Sequence, residues 1–194
     1  EDLKNDALAG VKLLRERFDN VGVIGHSEGG TIALMLAGEK QVDFAISLAG
    51  MIVSGAETLL EQNRHALIAA GLPESEVDAY CRLLSDTFDA VKTKSPLPSV
   101  DNYDLSDALR QNYAQVLNQF QSPYMKYFIG LDLSGSLAGI TCPVMALNGT
   151  KDTQVQCERN LDVLKSGLSS GGKNLIKAEV GLNHLFQHCA TGAF

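Results

Sequence analysis

The spacing of apolar residues along the chain separates short strand-like runs from longer helix-like stretches. Four short and almost uniformly apolar runs, typical of strands buried in a parallel sheet, lie at residues 21–24, 42–50, 143–149 and 174–181. Residues 2–18 and about 157–168 instead repeat apolar residues at three- and four-residue steps, which predicts amphipathic helices. The alternation of strands and helices predicts an α/β fold with a parallel sheet of about four strands.

The pattern makes more specific predictions for two of these segments. The strand at 21–24 is predicted to be buried on both of its faces, because it is uniformly apolar. The first helix is predicted to pack through one apolar face, which carries Leu3, Ala7, Leu8, Val11, Leu14 and Phe18.

A long segment without a convincing strand interrupts the alternation. Within it, three amphipathic helices are predicted at about 56–70, 77–91 and 104–120, and their apolar stripes are expected to be packing surface. The pattern therefore predicts three parts, which are a first part of the core at residues 1–50, an inserted helical cap at 51–138 and the remainder of the core at 139–194.

Composition and charge limit the classes of partner. With 194 residues, of which 45% are hydrophobic, the chain is long enough to bury a core. The formal net charge of -7 and the lack of a basic cluster argue against a nucleic-acid partner. No apolar run reaches the roughly 18 residues that span a bilayer, so no membrane partner is expected.

The cysteines place few limits on the function and location of the chain. The four cysteines form no CxxC pair, which favours ordinary thiols over a metal site or a redox motif. Reduced thiols make the cytoplasm the default location, but the location is left unassigned because an N-terminal signal could precede this sequence.

A candidate nucleophile lies where the first strand meets the following helix. The segment GHSEG, from Gly25 to Gly29, fits the pattern GxSxG between an apolar strand and a helix. Gly25 and Gly29, with Gly30, are expected to let strand and helix pass close together around a strained serine. The helix that begins near Glu28 would direct its positive end and the Glu28 N–H at a developing oxyanion. In the alternative, Ser27 only caps this helix.

A serine hydroxyl needs a base before it can act as a nucleophile. Among the four histidines His184 is preferred, because it follows the last predicted strand, at the carboxyl edge of the sheet where catalytic groups collect. His188, four residues later, is the fallback. His26 is expected to be structural and to point away from the face of Ser27, and His65 is expected to face solvent.

An acid that orients the base is expected at the same edge of the sheet. Asp152 follows the strand that ends near Asn148 and could accept the Nδ1 proton of His184. Asp132, before the third strand, is the weaker rival. The alternative that Asp152 merely caps the helix from Cys157 onward is disfavoured by the five residues between them.

The order of Ser27, Asp152 and His184, in the motifs GHSEGG, CPVMALNGTKDTQV and GLNHLF, resembles the nucleophile elbow, acid loop and histidine loop of the α/β-hydrolases. More narrowly, the chain looks like bacterial cap-bearing carboxylesterases and related serine hydrolases. The resemblance implies hydrolysis of an acyl bond through an acyl-enzyme, with Ser27 as nucleophile, His184 as general base and then acid, and Asp152 as its orienting group. It implies no metal and no organic cofactor.

The resemblance also implies a sheet that lacks its first strands. Members of this superfamily carry several strands before the elbow, and a loop among them supplies a second oxyanion amide, whereas one helix alone precedes Val21. The chain therefore resembles the C-terminal part of a hydrolase, and a fragment of this kind would be weakly active or inactive. The outer edge of strand 21–24 would keep unpaired N–H and C=O groups, so we expect it to pair with another copy or another chain.

The expected substrate is a small-molecule carboxylic ester. Its acyl or aryl part would occupy an apolar pocket lined by Met51, Tyr124, Tyr127 and Phe128. An aminopeptidase, an amidase or a thioesterase would use the same triad, so the sequence leaves these alternatives open. A hypothesis from a different class is a hydrolase-like binding module without turnover.

Overall fold

The computed structural model describes residues 1–169 and 173–192. The chain forms two compact units, of which the first comprises Glu1–Val53 and Asp132–Phe194 and the second comprises Ser54–Leu131. The second unit is shorter at both ends than the segment 51–138 that the sequence pattern predicts as a cap.

The described residues form seven α-helices and four β-strands. The helices are α1 (Asp2–Arg15), α2 (Glu28–Gly38), α3 (Gly55–Ala69), α4 (Glu74–Thr93), α5 (Asp107–Phe120), α6 (Pro123–Gly130) and α7 (Cys157–Gly167). The strands are β1 (Gly22–His26), β2 (Phe44–Leu48), β3 (Val144–Gly149) and β4 (Leu175–Glu179). Short 3₁₀ helices lie at Val100–Asn102 and Ser134–Gly139. Within the described part of the chain, no helix is long and apolar enough to cross a membrane.

The four strands form one parallel sheet in the order β1-β2-β3-β4. The predicted α/β fold with a four-stranded parallel sheet is therefore confirmed. Because all four strands run in the same direction, their carboxyl ends meet at one edge of the sheet. The segments that follow β1, β3 and β4 at this edge contain Ser27, Asp152 and His184, respectively.

The two faces of the sheet differ in burial. Helix α2 packs on the face that carries Ser47, since a Cβ on Gly30 would lie 2.9 Å from the Oγ of Ser47. On the opposite face Ile24 is 64% exposed and Phe44 is 40% exposed. The prediction that the first strand is buried on both faces is wrong. Among the described residues β1 pairs with β2 alone, and Ile24 lies on the face opposite α2.

Helix α1 exposes much of the face that the sequence predicts to be buried. Val11 is buried, but the exposed members of this face include Leu3, Leu14 and Phe18. The end of the helix is attached instead by polar contacts, because Arg15 forms an ion pair with Asp43 at 3.0 Å. The predicted packing of α1 therefore holds around Val11 and fails toward both ends of the helix.

The second unit is built around aromatic and aliphatic side chains of its own helices. Phe88 of α4 and Phe120 of α5 meet edge to face, with ring centroids 5.1 Å apart. Other buried members of this cluster include Tyr80, Leu83, Leu84, Leu109, Tyr113 and Ile129. Burial raises the pKa of Tyr80 to about 12, and its hydroxyl donates a hydrogen bond to the Oδ1 of Asn112 at 2.6 Å. The apolar stripes of these helices thus form packing surface.

The two ends of the second unit lie side by side. The N–H of Gly55 donates a hydrogen bond to the carbonyl oxygen of Leu131 at 2.9 Å. A Cβ on Gly55 would lie 1.9 Å from the carbonyl oxygen of Phe128, so a glycine is required for α3 to approach α6 this closely. The second unit therefore begins and ends at neighbouring points.

Candidate active site

Ser27 lies on a tight turn between β1 and α2. Its backbone has a φ of 56° and a ψ of -123°, a conformation that is strained for a residue with a Cβ. The N–H of Ser27 donates to the carbonyl oxygen of Leu48 at 2.8 Å, which ties the turn to the end of β2. The side chain of Ser27 forms no capping hydrogen bond to α2 in the described structure, in contrast to the capping alternative.

Glycines let the strand and the helix approach each other, but not all in the way the sequence predicts. A Cβ on Gly25 would lie 1.9 Å from the carbonyl oxygen of Gly29, and a Cβ on Gly30 would lie 3.0 Å from the Cα of Gly50. A Cβ on Gly29 would meet no atom within 4 Å. The close approach therefore requires glycine at position 25, and position 30 has little space for a larger side chain. The prediction that Gly29 is needed for the close approach is wrong.

His184 joins the hydroxyl of Ser27 to the carboxylate of Asp152. Its Nε2 lies 3.0 Å from the Oγ of Ser27, and its Nδ1 lies 2.8 Å from the Oδ2 of Asp152. His184 is 4% exposed and Asp152 is 7% exposed. The structure therefore joins the three predicted residues, Ser27, His184 and Asp152, in one continuous chain of polar contacts.

The carboxylate of Asp152 is fixed by the backbone that follows it. Its Oδ1 accepts hydrogen bonds from the N–H groups of Gln154 at 2.8 Å and Val155 at 2.9 Å. Helix α7 is capped by Gln156, whose side chain accepts from the N–H of Arg159. Asp152 thus stabilises the turn before α7 and leaves its Oδ2 for His184.

The loop that presents His184 is held by Asn183. The Oδ1 of Asn183 accepts hydrogen bonds from the N–H groups of Leu185 and Gln187, both at 3.0 Å. The N–H of Asn183 donates to the carbonyl oxygen of Gln187 at 2.9 Å. Asn183 itself is buried. The turn around His184 is therefore closed by side-chain and main-chain bonds of a single buried residue.

The loops after β3 and β4 touch. The N–H of Lys151 donates to the carbonyl oxygen of Leu182 at 2.9 Å, and a Cβ on Gly149 would lie 2.2 Å from the same oxygen. Because Lys151 and Leu182 lie one and two residues from Asp152 and His184, this contact sets the distance between the acid and the base.

His26 lies beside the base of the candidate site. Its Nε2 lies 2.7 Å from the carbonyl oxygen of His184, and the two imidazole rings are 4.8 Å apart between centroids. His26 therefore contacts the base, which the expectation of a ring directed away from Ser27 does not include, and the expectation that His26 is structural stays a prediction. Its position directly before Ser27 is the signal that could have indicated a neighbour of the site.

The other candidates lie elsewhere. His65 is exposed, as predicted, and His188 is exposed while its backbone pairs with that of Leu182. The ring nitrogen facing Ser27 belongs to His184 rather than to the fallback His188. Asp132, the rival acid, is exposed and accepts a hydrogen bond from the N–H of Ser134 at 2.8 Å.

Glu28 is the first residue of α2, so its N–H lies at the positive end of the helix directly after Ser27. Met51, which the sequence assigns to the substrate pocket, is buried in the first unit, where its N–H donates to the Oγ1 of Thr31 at 2.9 Å. The aromatic candidates lie on α6 of the second unit and are Tyr124, Tyr127 and Phe128. A pocket formed by all four residues stays a prediction.

Cys157 is the cysteine nearest in sequence to Asp152, and its surroundings make it a weaker nucleophile than an ordinary thiol. Burial, and then the negative charge of Asp152, raise the pKa of the Cys157 thiol to about 11. The thiol therefore stays protonated at neutral pH. Within residues 1–169 and 173–192, no group of three or more His, Cys, Asp or Glu side chains is arranged to hold a metal ion.

The geometry of Ser27, His184 and Asp152 suits proton abstraction from a hydroxyl. When the Nδ1–H of His184 donates to the carboxylate of Asp152, the lone pair of Nε2 faces the Oγ of Ser27 and can accept its proton. The carboxylate then lies next to the imidazolium that forms. The site therefore holds a hydroxyl, a base and an orienting acid in the relative positions that nucleophilic acyl chemistry needs.

No family model matches the chain, and no curated protein matches it. Solved structures similar to it include an esterase from Pyrococcus furiosus, at 17% identity and a TM-score of 0.49, with 90% of this chain and 50% of that chain covered. The esterase domain of a Rhodothermus marinus protein matches at 15% identity and a TM-score of 0.48, with 94% and 60% covered. A hydrolase from Pseudomonas aeruginosa matches at 17% identity and a TM-score of 0.48, with 92% and 63% covered.

These structural neighbours are esterases and hydrolases of the α/β-hydrolase fold. The present chain spans between 50% and 63% of the length of the three proteins named above. At these identities and TM-scores the likeness assigns no activity to this chain.

Proposed function

We propose that this chain is the triad-bearing part of a serine hydrolase that cleaves carboxylic esters. The observation that carries the proposal is the chain of contacts from the Oγ of Ser27 through His184 to the Oδ2 of Asp152, at 3.0 Å and 2.8 Å. These distances lie within the range in which a base removes a proton from a nucleophile and is oriented by an acid.

In the proposed first half-reaction, the Oγ of Ser27 attacks the carbonyl carbon of the ester while the Nε2 of His184 takes the hydroxyl proton. The tetrahedral oxyanion would face the start of α2, where the N–H of Glu28 is the proposed donor. Collapse of this intermediate breaks the bond to the alcohol oxygen, which receives the proton from His184. The acyl group stays on Ser27 as an ester.

In the proposed second half-reaction, His184 removes a proton from water, and the resulting hydroxide attacks the acyl carbon. Collapse returns the proton to Ser27 and releases the carboxylic acid. The role of Asp152 in both halves is to keep the proton on Nδ1 and to stabilise the imidazolium. Its own orientation is kept by the hydrogen bonds from Gln154 and Val155.

The proposed substrate is a small-molecule ester with an apolar acyl or aryl part, and Met51, Tyr124, Tyr127 and Phe128 are proposed to contact that part. Amides, N-terminal peptide bonds and thioesters would be cleaved by the same three side chains. The choice among them depends on the pocket and on the leaving group rather than on the triad.

A fluorophosphonate probe and a panel of p-nitrophenyl esters of increasing acyl length test the proposal. The probe should label the chain at Ser27, and Ser27→Ala should lose both labelling and turnover. Labelling that persists in Ser27→Ala would remove Ser27 from the mechanism. Labelling of Ser27 without turnover of any ester, amide or thioester would favour the binding-module hypothesis.

A comparison with a longer chain distinguishes a triad that has no catalytic function from a functional triad in an incomplete site. If a chain extended at its N-terminus is labelled and active while residues 1–194 are not, the triad is functional but needs further residues. If neither is labelled, the proposal fails.

A further inference from the structure

His26 contacts the base of the candidate triad through both its polar and its apolar parts. Its Nε2 is 2.7 Å from the carbonyl oxygen of His184, and its ring lies 4.8 Å from the ring of His184 at an angle of 52°. The ring of Phe186 approaches His26 edge-on, with centroids 6.3 Å apart. His26 therefore lies against the turn that carries the base as well as against the base itself.

The contact with the carbonyl oxygen of His184 places a proton on the Nε2 of His26. A carbonyl oxygen can only accept, so the Nε2 of His26 must carry a proton and donate it. The neutral tautomer with the proton on Nε2 and the doubly protonated imidazolium both meet this requirement. The hydrogen bond is therefore compatible with either form of His26.

The turn around His184 is also fixed by hydrogen bonds that do not involve His26. Asn183 closes the turn through its Oδ1, and the carbonyl oxygen of Leu182 accepts from the N–H of Lys151. These contacts tie the turn to itself and to the loop of Asp152. The contact of His26 is different, because it ties the turn to the end of β1, one residue before Ser27.

We propose that His26 is a positioning residue for His184. Its Nε2–H holds the carbonyl oxygen of His184, and its ring limits the rotation of the neighbouring imidazole, so that the Nε2 of His184 stays within reach of Ser27. The inference rests on the proposed function, since its importance is to keep base and nucleophile at 3.0 Å. Catalytic groups need to be held within about 0.5 Å of their productive positions.

Two amides of different length test the hydrogen bond. In His26→Gln the side-chain N–H₂ reaches about as far as the Nε2 of histidine, whereas in His26→Asn it ends about one bond short. We expect kcat on an activated ester to fall roughly 10- to 100-fold in His26→Asn, with KM changed by less than about threefold. His26→Gln should recover most of this loss. His65→Asn, at an exposed histidine of the second unit, is the matched control and should keep the wild-type kcat.

The comparison of the two variants decides the inference. If His26→Asn keeps the wild-type kcat, or if the Gln and Asn variants are equally slow, the hydrogen bond does not position His184. A selective loss in His26→Asn at an unchanged melting temperature supports the inference. A general loss of folding would lower the melting temperature and the kcat together.

A measurement without turnover separates this inference from the proposed function. Two-bond ¹⁵N–¹H correlation spectra of the imidazole rings report the tautomer and the mobility of His184 in the resting protein. In wild type and His26→Gln we expect one sharp His184 signal set with the proton on Nδ1, and in His26→Asn we expect broadening or a mixture of tautomers. Identical His184 spectra in all three proteins would overturn the inference even if the triad is active. If neither the wild-type chain nor an N-terminally extended chain is labelled at Ser27, the proposed function fails, and these spectra still decide whether His26 holds His184.

Discussion

The Oδ2 of Asp152 lies 2.8 Å from the Nδ1 of His184 while the Oδ1 of the same carboxylate accepts two backbone N–H groups. The two oxygens therefore have different and fixed roles. An amide side chain at this position would have to direct its oxygen toward the backbone donors and its N–H₂ toward His184. A side chain of the same size that cannot accept hydrogen bonds through both of its terminal atoms therefore cannot take over the role of Asp152.

Asp152→Asn should therefore reverse the tautomer of His184. The amide would donate to Nδ1, the ring proton would move to Nε2, and His184 could no longer accept the proton of Ser27. We expect kcat on p-nitrophenyl esters to fall by about 10³- to 10⁴-fold with little change in the melting temperature. The control is Asp132→Asn, at the exposed rival carboxylate, which should stay close to wild type. Equal activities in the two variants would contradict the role of Asp152.

The two histidines near the C-terminal end of the described chain should differ sharply. His184→Ala removes the group that lies 3.0 Å from the Oγ of Ser27, so turnover should fall by at least about 10³-fold. His188 is exposed and takes part in its bridge through the backbone, so His188→Ala should keep activity within about threefold. Steady-state rates of both variants on one ester measure the difference, and the opposite ranking would transfer the base to His188.

Gly25→Ala should damage the elbow, whereas Gly29→Ala should not. The added methyl group at 25 would lie 1.9 Å from the carbonyl oxygen of Gly29, so strand and helix would have to separate. We expect a loss of unfolding free energy of about 3 kcal/mol or more and loss of labelling at Ser27. At 29 the methyl group would meet no atom, and alanine is a better helix former than glycine. Thermal melts of the two variants provide the comparison, and equal melting temperatures would contradict the predicted clash.

Asp43 predicts a pH-dependent contribution to stability. It accepts a hydrogen bond from the N–H of Val21 at 2.7 Å and pairs with Arg15. The hydrogen bond and the guanidinium hold the pKa of Asp43 below its ordinary value of 3.8. A carboxyl with a lowered pKa stabilises the fold above its unfolded pKa, and this contribution is lost as the pH falls through the folded pKa.

Asp43→Asn should accordingly melt at a lower temperature than wild type at pH 7, and the two melting temperatures should converge as the pH falls through 3.8 and below. Glu39→Gln, at an exposed carboxylate that pairs with Lys4, provides a comparison for the general effect of removing one negative charge. A difference between wild type and Asp43→Asn that does not shrink in acid would contradict the assignment.

We further propose that the edge of β1 that pairs with no strand in the described part of the chain pairs with a second copy. Unpaired strand edges recruit other strands, and the exposed Ile24 adds apolar surface beside this edge. Light scattering coupled to size-exclusion chromatography should show dimers or larger species whose share rises with protein concentration. Ile24→Lys should shift the distribution toward monomer, and Val180→Lys, which replaces an exposed apolar residue outside β1, should not. A soluble wild-type monomer at all concentrations would contradict the proposal.

The meeting of Ser27, Asp152 and His184 at the carboxyl edge of the sheet could be predicted from the sequence, because it depends on local patterns. Ser27, Asp152 and His184 each follow an apolar run that forms a strand, and parallel strands end at the same edge. The position of each residue directly after a predicted parallel strand is therefore enough to predict that the three side chains meet. No knowledge of the loops between them was needed.

The contacts that the sequence does not predict depend on neighbours that are distant in the chain. Whether Ile24 is buried depends on which elements cover each face of β1, and a single strand does not carry this information. The contact between His26 and His184 depends on a turn in which Phe186 adopts a positive φ of 58°. Helix α6 has eight residues and begins with a proline after the capping Ser122, a signal too short for its periodicity to be recognised.

The hydrogen bond between Gly55 and Leu131 makes the second unit an exchangeable module. Because its first and last residues are neighbours, a linker of a few residues could join Val53 to Asp132 without stretching the chain, and the entropic cost of closing such a short connection is small. The same property would let evolution lengthen, shorten or replace these helices while the strand ends that carry Ser27, Asp152 and His184 keep their spacing.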